Sequence, residues 1–120
     1  MMSPGELKRR YPYQFSGPGA HWLAFATGWM PVIEAMCYQV DQVLHRHLER
    51  YAFDWVQFKE EFGHATFSYQ LRLRTDEHGN EPATQEMEVL LGQLHAIRLQ
   101  AQARAGALCM VCGAPGRLVE

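Results

Sequence analysis

Between positions 65 and 73 the odd-numbered residues are Ala65, Phe67, Tyr69, Leu71 and Leu73, while Thr66, Ser68, Gln70 and Arg72 fill the even ones. A period of two sends successive side chains to opposite faces, so this run is a strand with one face buried and one wet. Just upstream, Val56, Phe58 and Phe62 share one parity and Gln57, Lys59 and Glu61 the other, which predicts a second half-buried strand. Gly63 separates the two runs. The stretch 53–74 is therefore a β-hairpin with Glu61, Phe62 and Gly63 near its turn. Two strands seldom make a stable sheet unaided, so the rest of the chain has to cover this one.

The flanks supply the cover. Ile33, Cys37, Val40, Leu44, Leu48 and Tyr51 recur at three- and four-residue steps, with Met36 and Val43 widening the stripe. That predicts a helix over 30–51, opened by Pro31 where a missing N–H costs nothing. A second helix is expected from Pro82 or Thr84 to Gly106, apolar at Met87, Leu90, Leu91, Leu94, Ile97, Ala101 and Ala105. Tyr11, Tyr13 and Phe15 alternate with Pro12 and Gln14, the pattern of a short edge strand and the candidate third member of the sheet. The aromatic segment 21–29 either closes one end of the core or is a binding patch exposing Trp22 and Trp29. The expected fold is α+β: a small antiparallel sheet of two to three strands with two helices packed on one face. Residues 1–120 form a single domain, of which 1–10 is a polar tail. On one sheet face Phe58, Phe67, Tyr69 and Leu71 meet Val40, Leu44, Leu91 and Leu94. The opposite face carries Trp55, Lys59, Gln70 and Arg72, a polar surface with one tryptophan that suits protein contact.

Charge and cysteine content narrow the function. A formal net charge of −2 argues against a protein whose affinity comes from neutralising many phosphates. Lys8, Arg9 and Arg10 are in a row, but three charges make few phosphate contacts. No apolar run is long enough to cross a bilayer, so no membrane role is expected. Three cysteines and no signal-peptide pattern place the chain in the cytoplasm with reduced thiols.

One local motif has metal chemistry in it. In Cys109-Met110-Val111-Cys112-Gly113 two thiolates can face one tetrahedral ion while glycine permits the tight backbone, as in a zinc knuckle. Cys109 and Cys112 supply two ligands of four. Zinc would need completion by Cys37, by a histidine such as His64, His78 or His95, or by another subunit. A simply reduced pair is the alternative. Lys59, Glu60, Glu61 and His64 crowd the hairpin turn, where charges are usually just solvated. No phosphate loop, HExxH or GxSxG is present in the sequence, and no catalytic residue is assigned.

The segments 28–31 (GWMP), 56–63 (VQFKEEFG) and 109–116 (CMVCGAPG) together resemble a family of small uncharacterised proteins of bacteriophages, prophages and bacterial accessory regions. Its pattern is GW-P, a KE(K/E)FG hairpin and CxxCGxPG. Here the hairpin's second strand begins Ala-Thr-Phe where Leu-Arg-Phe is usual, and the further metal-ligand pair is missing. The resemblance implies genomic context rather than a mechanism. The expected function is a small, non-enzymatic phage or accessory-type protein that binds and inhibits a bacterial protein, such as a defence component or a toxin. The alternative is a nucleic-acid-binding module using Arg9, Arg10, Arg72, Arg74 and Arg117 beside a partial zinc knuckle. Self-association is open to a sheet this short.

Overall fold

The computed structural model describes residues 2–74, 84–110, 113 and 114, without the side chains of His21, Trp22 and Thr84. The hairpin is its spine. Strand β1, Tyr51–Glu61, pairs antiparallel with β2, His64–Leu73. Helix α1 spans Pro4–Arg10, α2 spans Met30–Leu44 and α3 spans Thr84–Gly106. The fold is α+β, with a two-stranded antiparallel sheet among the described residues.

A register shift between Trp55 and Gln57 decides which side chains point inward. Partners run Phe53 with Leu71 and Trp55 with Tyr69, then Gln57 with Ser68 and Phe58 with Phe67. Val56 is the extra residue of a β-bulge, so the inward set is odd-numbered before it and even-numbered after it. Trp55 consequently lies inside, at 1% exposure. This corrects its placement on the outer face, which had extended one parity through the bulge. The result is a continuous aromatic face. Trp55 meets Phe53, Phe58 and Tyr69 at ring-centroid distances of 5.1, 5.3 and 5.9 Å, and Phe58 meets Phe67 at 5.1 Å. Such tilted and edge-on pairs add to the area they bury.

Helix α2 turns Ile33, Met36, Cys37, Val40 and Leu44 into the same cluster. It stops at Leu44, short of the expected 51. Residues 45–50 turn instead, and Tyr51 opens β1. Helix α3 buries Leu90, Leu94, Ala101 and Ala105, whereas Leu91, expected in the core, is 37% exposed. Its start is fixed beside the base of the hairpin by Glu86. That carboxylate accepts from the Tyr51 hydroxyl at 2.9 Å and pairs with Arg50 at 3.0 Å.

Two N-terminal expectations are overturned. Residues 11–15 form no strand: Pro12–Phe15 is a 3₁₀ turn. A 3₁₀ turn places neighbours rather than alternate residues inside, and both Gln14 and Phe15 are buried. The supposed tail is α1. Ser3 caps it by accepting from the Glu6 N–H at 3.1 Å, while Glu6 accepts from the Ser3 N–H at 2.9 Å. This reciprocal capping box is worth about 1 kcal/mol for the N-cap bond, and it lets Leu7 dock with no exposed surface.

Gln14 is the polar pin of the interior. Its amide donates to the Cys37 carbonyl at 3.0 Å and to the Tyr13 hydroxyl at 3.1 Å, and its oxygen accepts from the Trp55 indole at 2.9 Å. Tyr13 in turn donates to Asp41 at 2.8 Å. One buried amide thus joins the 3₁₀ turn, α2 and β1, with its partners supplied.

Two predictions follow from this packing. Phe67→Ala removes a ring held between Trp29 and Phe58 and is expected to lower unfolding free energy by about 3–5 kcal/mol in a chemical melt, against under about 0.5 kcal/mol for the exposed Gln70→Ala. The second concerns alkali. Burial pushes the Cys37 thiol from its ordinary 9.0 up to about 12, and raises Tyr13, Tyr51 and Tyr69 above the ordinary phenol value for the same first reason. Above about pH 9 the unfolded chain releases protons that the folded chain retains, so the free energy of unfolding falls as pH rises. Stability is full below pH 9 and falls steadily towards pH 12. A denaturation series flat over that range would contradict the burial of these groups.

Candidate binding site

The motif segments at 28–31 and 56–63 and the described residues of the third, 109, 110, 113 and 114, are far apart in the chain and converge at one end of the hairpin. The first and third meet through Gly28. Its N–H donates to the Met110 carbonyl at 2.7 Å. A methyl group on Gly28 would overlap the Cys109 carbonyl oxygen and stand 2.6 Å from the Gly113 nitrogen. Only glycine allows the two backbones this close. The loop it receives is closed by its own bonds, Gly113 N–H to the Cys109 carbonyl and Cys109 N–H to the Ala114 carbonyl, each 2.8 Å. Gly113 has φ 79°, the left-handed conformation that the CxxCG turn asks of its glycine.

The hairpin tip faces this loop. Phe62 and Gly63 are the two turn residues, both with positive φ, 53° and 82°, the pattern of a type I′ turn that favours Asn-Gly. Glu60 steadies the turn by accepting from the Gly63 N–H at 2.8 Å. Phe62 is 90% exposed. It thus has an unfavourable backbone conformation for an aromatic residue and gains no burial in return.

Between the tip and the last turns of α3 lies a cleft of about 570 Å³, within the range of ligand pockets. Trp29 lines its floor, with Phe62, His64, Leu108 and Met110 among its walls and Glu60 at the rim. Trp29 is 2% exposed and rests edge-on against Phe67 at 5.8 Å. Its indole N–H has no acceptor among the described residues. Gln102, also in the lining, fixes α3 along the outer edge of β2 by accepting from the Phe67 N–H at 2.9 Å.

The sequence-nominated residues fall into separate places. Trp29 reaches the cleft from below. Lys59 is exposed and pairs with Glu61 at 3.4 Å. Gln70 is exposed on the outer sheet face. Arg72, on that face too, pairs at 3.2 Å with Asp54, a carboxylate only 2% exposed; its first task is to compensate a buried charge. Trp55 belongs to the interior. The Trp22 side chain and all of Cys112 lie outside the described residues. Cys109 is half-buried in the closed loop. Among the described residues no three His, Cys, Asp or Glu side chains gather as a metal site would need. Phe62, given a strand parity and placed near the turn but not nominated for binding, is the functional candidate that the sequence reading missed. The turn position and the following Gly63 were the available signals.

Compared with protein-family models, curated proteins and solved structures, the chain matches none.

Gly28→Ala tests the loop clamp. Relieving the overlap requires one backbone to move away, at about 1–3 kcal/mol. The variant is expected to melt at lower denaturant and to exchange the Gly113 amide faster than the Phe67 amide by hydrogen–deuterium exchange. Equal stability and unchanged Gly113 protection would remove the clamp.

Proposed function

We propose that this chain is a small, non-enzymatic phage or accessory-type protein that binds a bacterial protein, such as a defence component or toxin, and so inhibits or neutralises it. The observation that carries the reading is Phe62: an aromatic ring 90% exposed on a left-handed turn residue beside a cleft of ligand-pocket size. A residue that costs the fold conformational energy and returns no packing fits selection for contact, and exposed aromatics are common anchors of protein interfaces. Support comes also from the convergence at this cleft of the three segments on which the phage-family resemblance rests. The contact surface therefore moves from the Trp55 sheet face to the hairpin tip.

The nucleic-acid alternative draws less support. Arg72 is engaged by Asp54, and Arg74 donates to the Leu48 carbonyl at 2.8 Å. Arg9 and Arg10 close a short helix, and Arg117 lies outside the described residues. Lys8 rests over the Phe25 ring, 5.3 Å from its centroid.

Phe62→Asn separates function from stability. Asparagine adopts the left-handed conformation more readily, so the variant is expected to gain about 0.5–1 kcal/mol in a chemical melt. Affinity capture from bacterial lysate, with nuclease treatment and mass spectrometry, is expected to yield a stoichiometric protein with the unaltered chain and to lose it with Phe62→Asn. Partners that vanish on nuclease treatment would favour nucleic acid instead. A partner retained undiminished by Phe62→Asn would overturn the tip assignment.

A further inference from the structure

Charge complementarity and the apolar lining say what the cleft can hold. Among its described lining residues Glu60 has the one formal charge, the rest being apolar, amide, glycine or the histidine His64. Its near neighbours on the hairpin, Lys59 and Glu61, neutralise each other as a pair at 3.4 Å. The space is therefore an apolar channel with a negative rim. A cation on an aliphatic stem suits that arrangement: the stem lies along Phe62, Leu108 and Met110 while the head reaches the carboxylate and the face of an exposed ring. A phosphate or an acidic side chain would meet the Glu60 charge with no Lys or Arg among the described lining residues to offset it.

The floor is apolar: Trp29 lines it with its indole N–H buried away from the surface, so an aliphatic stem rather than a polar head faces the tryptophan. A peptide side chain with apolar neighbours brings such a stem, whereas an inorganic cation brings none. The volume of about 570 Å³ accommodates a few side chains rather than a whole folded surface.

We propose that the cleft takes a lysine or arginine side chain flanked by apolar residues, presented on an exposed peptide segment of the partner. This rests on the protein-binding reading above and specifies the chemistry that the Phe62 cleft recognises. Glu60 receives the cation, and Phe62 and Met110 hold its stem.

The test uses the full chain labelled with ¹⁵N and three blocked pentapeptides, Ala-Leu-X-Leu-Ala with X as Arg, Gln or Glu, titrated to millimolar concentration. A short single-stranded oligonucleotide is run alongside. The Arg peptide is expected to shift the Trp29 indole resonance and the Gly63 amide, and to bind about two- to fivefold tighter than the Gln peptide, the size of one exposed ion pair. Glu60→Gln keeps an acceptor for the Gly63 N–H and so should fold; it is expected to abolish the preference for Arg over Gln. Equal binding of the three peptides, no cleft shift with any of them, a preference unaffected by Glu60→Gln, or a cleft response to the oligonucleotide alone would each overturn the proposal. If lysate capture still depends on Phe62 while the Arg preference is absent, the binding reading stands and the basic-side-chain specificity falls.

Discussion

A hairpin of two strands has one apolar face and two open edges, and it does not persist in water until all three are covered. Nearly every other described element does part of this. Helix α2 and the 3₁₀ turn at Pro12–Phe15 supply side chains to the aromatic cluster, pinned to it by Gln14 through the Cys37 carbonyl and the Trp55 indole. Helix α3 lies along β2, with Gln102 taking the Phe67 N–H. On the far side, Leu23 makes a parallel bridge to Phe58, and the Ala24 N–H reaches the Phe58 carbonyl at 3.3 Å. The β-bulge at Val56 is what makes this cover sufficient. By switching parity it turns Trp55 and Phe58 to the same side and gives a short sheet a large interior.

The cleft is a consequence of how that cover ends. Beyond Gly106 the chain turns back towards Trp29, and Gly28 permits it to approach at backbone distance. The hairpin tip extends past the core into the same region. Three walls from distant parts of the sequence thus enclose a space with a tryptophan floor. Within it the chain departs from what stability alone would choose: an aromatic residue where a type I′ turn favours asparagine, and an indole N–H without an acceptor among the described residues. Local choices that oppose the fold are where function is to be sought.

The hairpin and α2 were legible in the sequence because strong periodicity survives in them; α3, whose apolar stripe is weak enough to leave Val89, Leu91 and Leu99 exposed, was legible mainly from its bounds at Thr84 and Gly106. The bulge was hidden, since one inserted residue leaves no compositional mark and inverts the face of everything before it. Trp55 was therefore expected outside, whereas Phe62, which parity put inside with Phe58, is exposed because it is a turn residue. The capping box of α1 was present as Ser3 and Glu6, but the short charged run after it read as a tail, with Leu7 its single buried anchor. The Tyr11, Tyr13, Phe15 alternation mimicked a strand because a 3₁₀ turn that buries Gln14 depends on partners, Cys37 and Trp55, far away in the chain. The meeting of Gly28 with Cys109, Met110 and Gly113 was beyond any local pattern. It depends on the absence of a side chain at Gly28.

The hairpin-tip cleft is the surface proposed for a partner protein to cover. Hydrogen–deuterium exchange of the full chain, alone and saturated with its captured partner, tests this without altering a residue. Protection should increase at amides of 60–64 and 102–110 and stay unchanged along 66–72. Protection confined to the outer face of the hairpin, with the tip and the end of α3 exchanging as before, would contradict it.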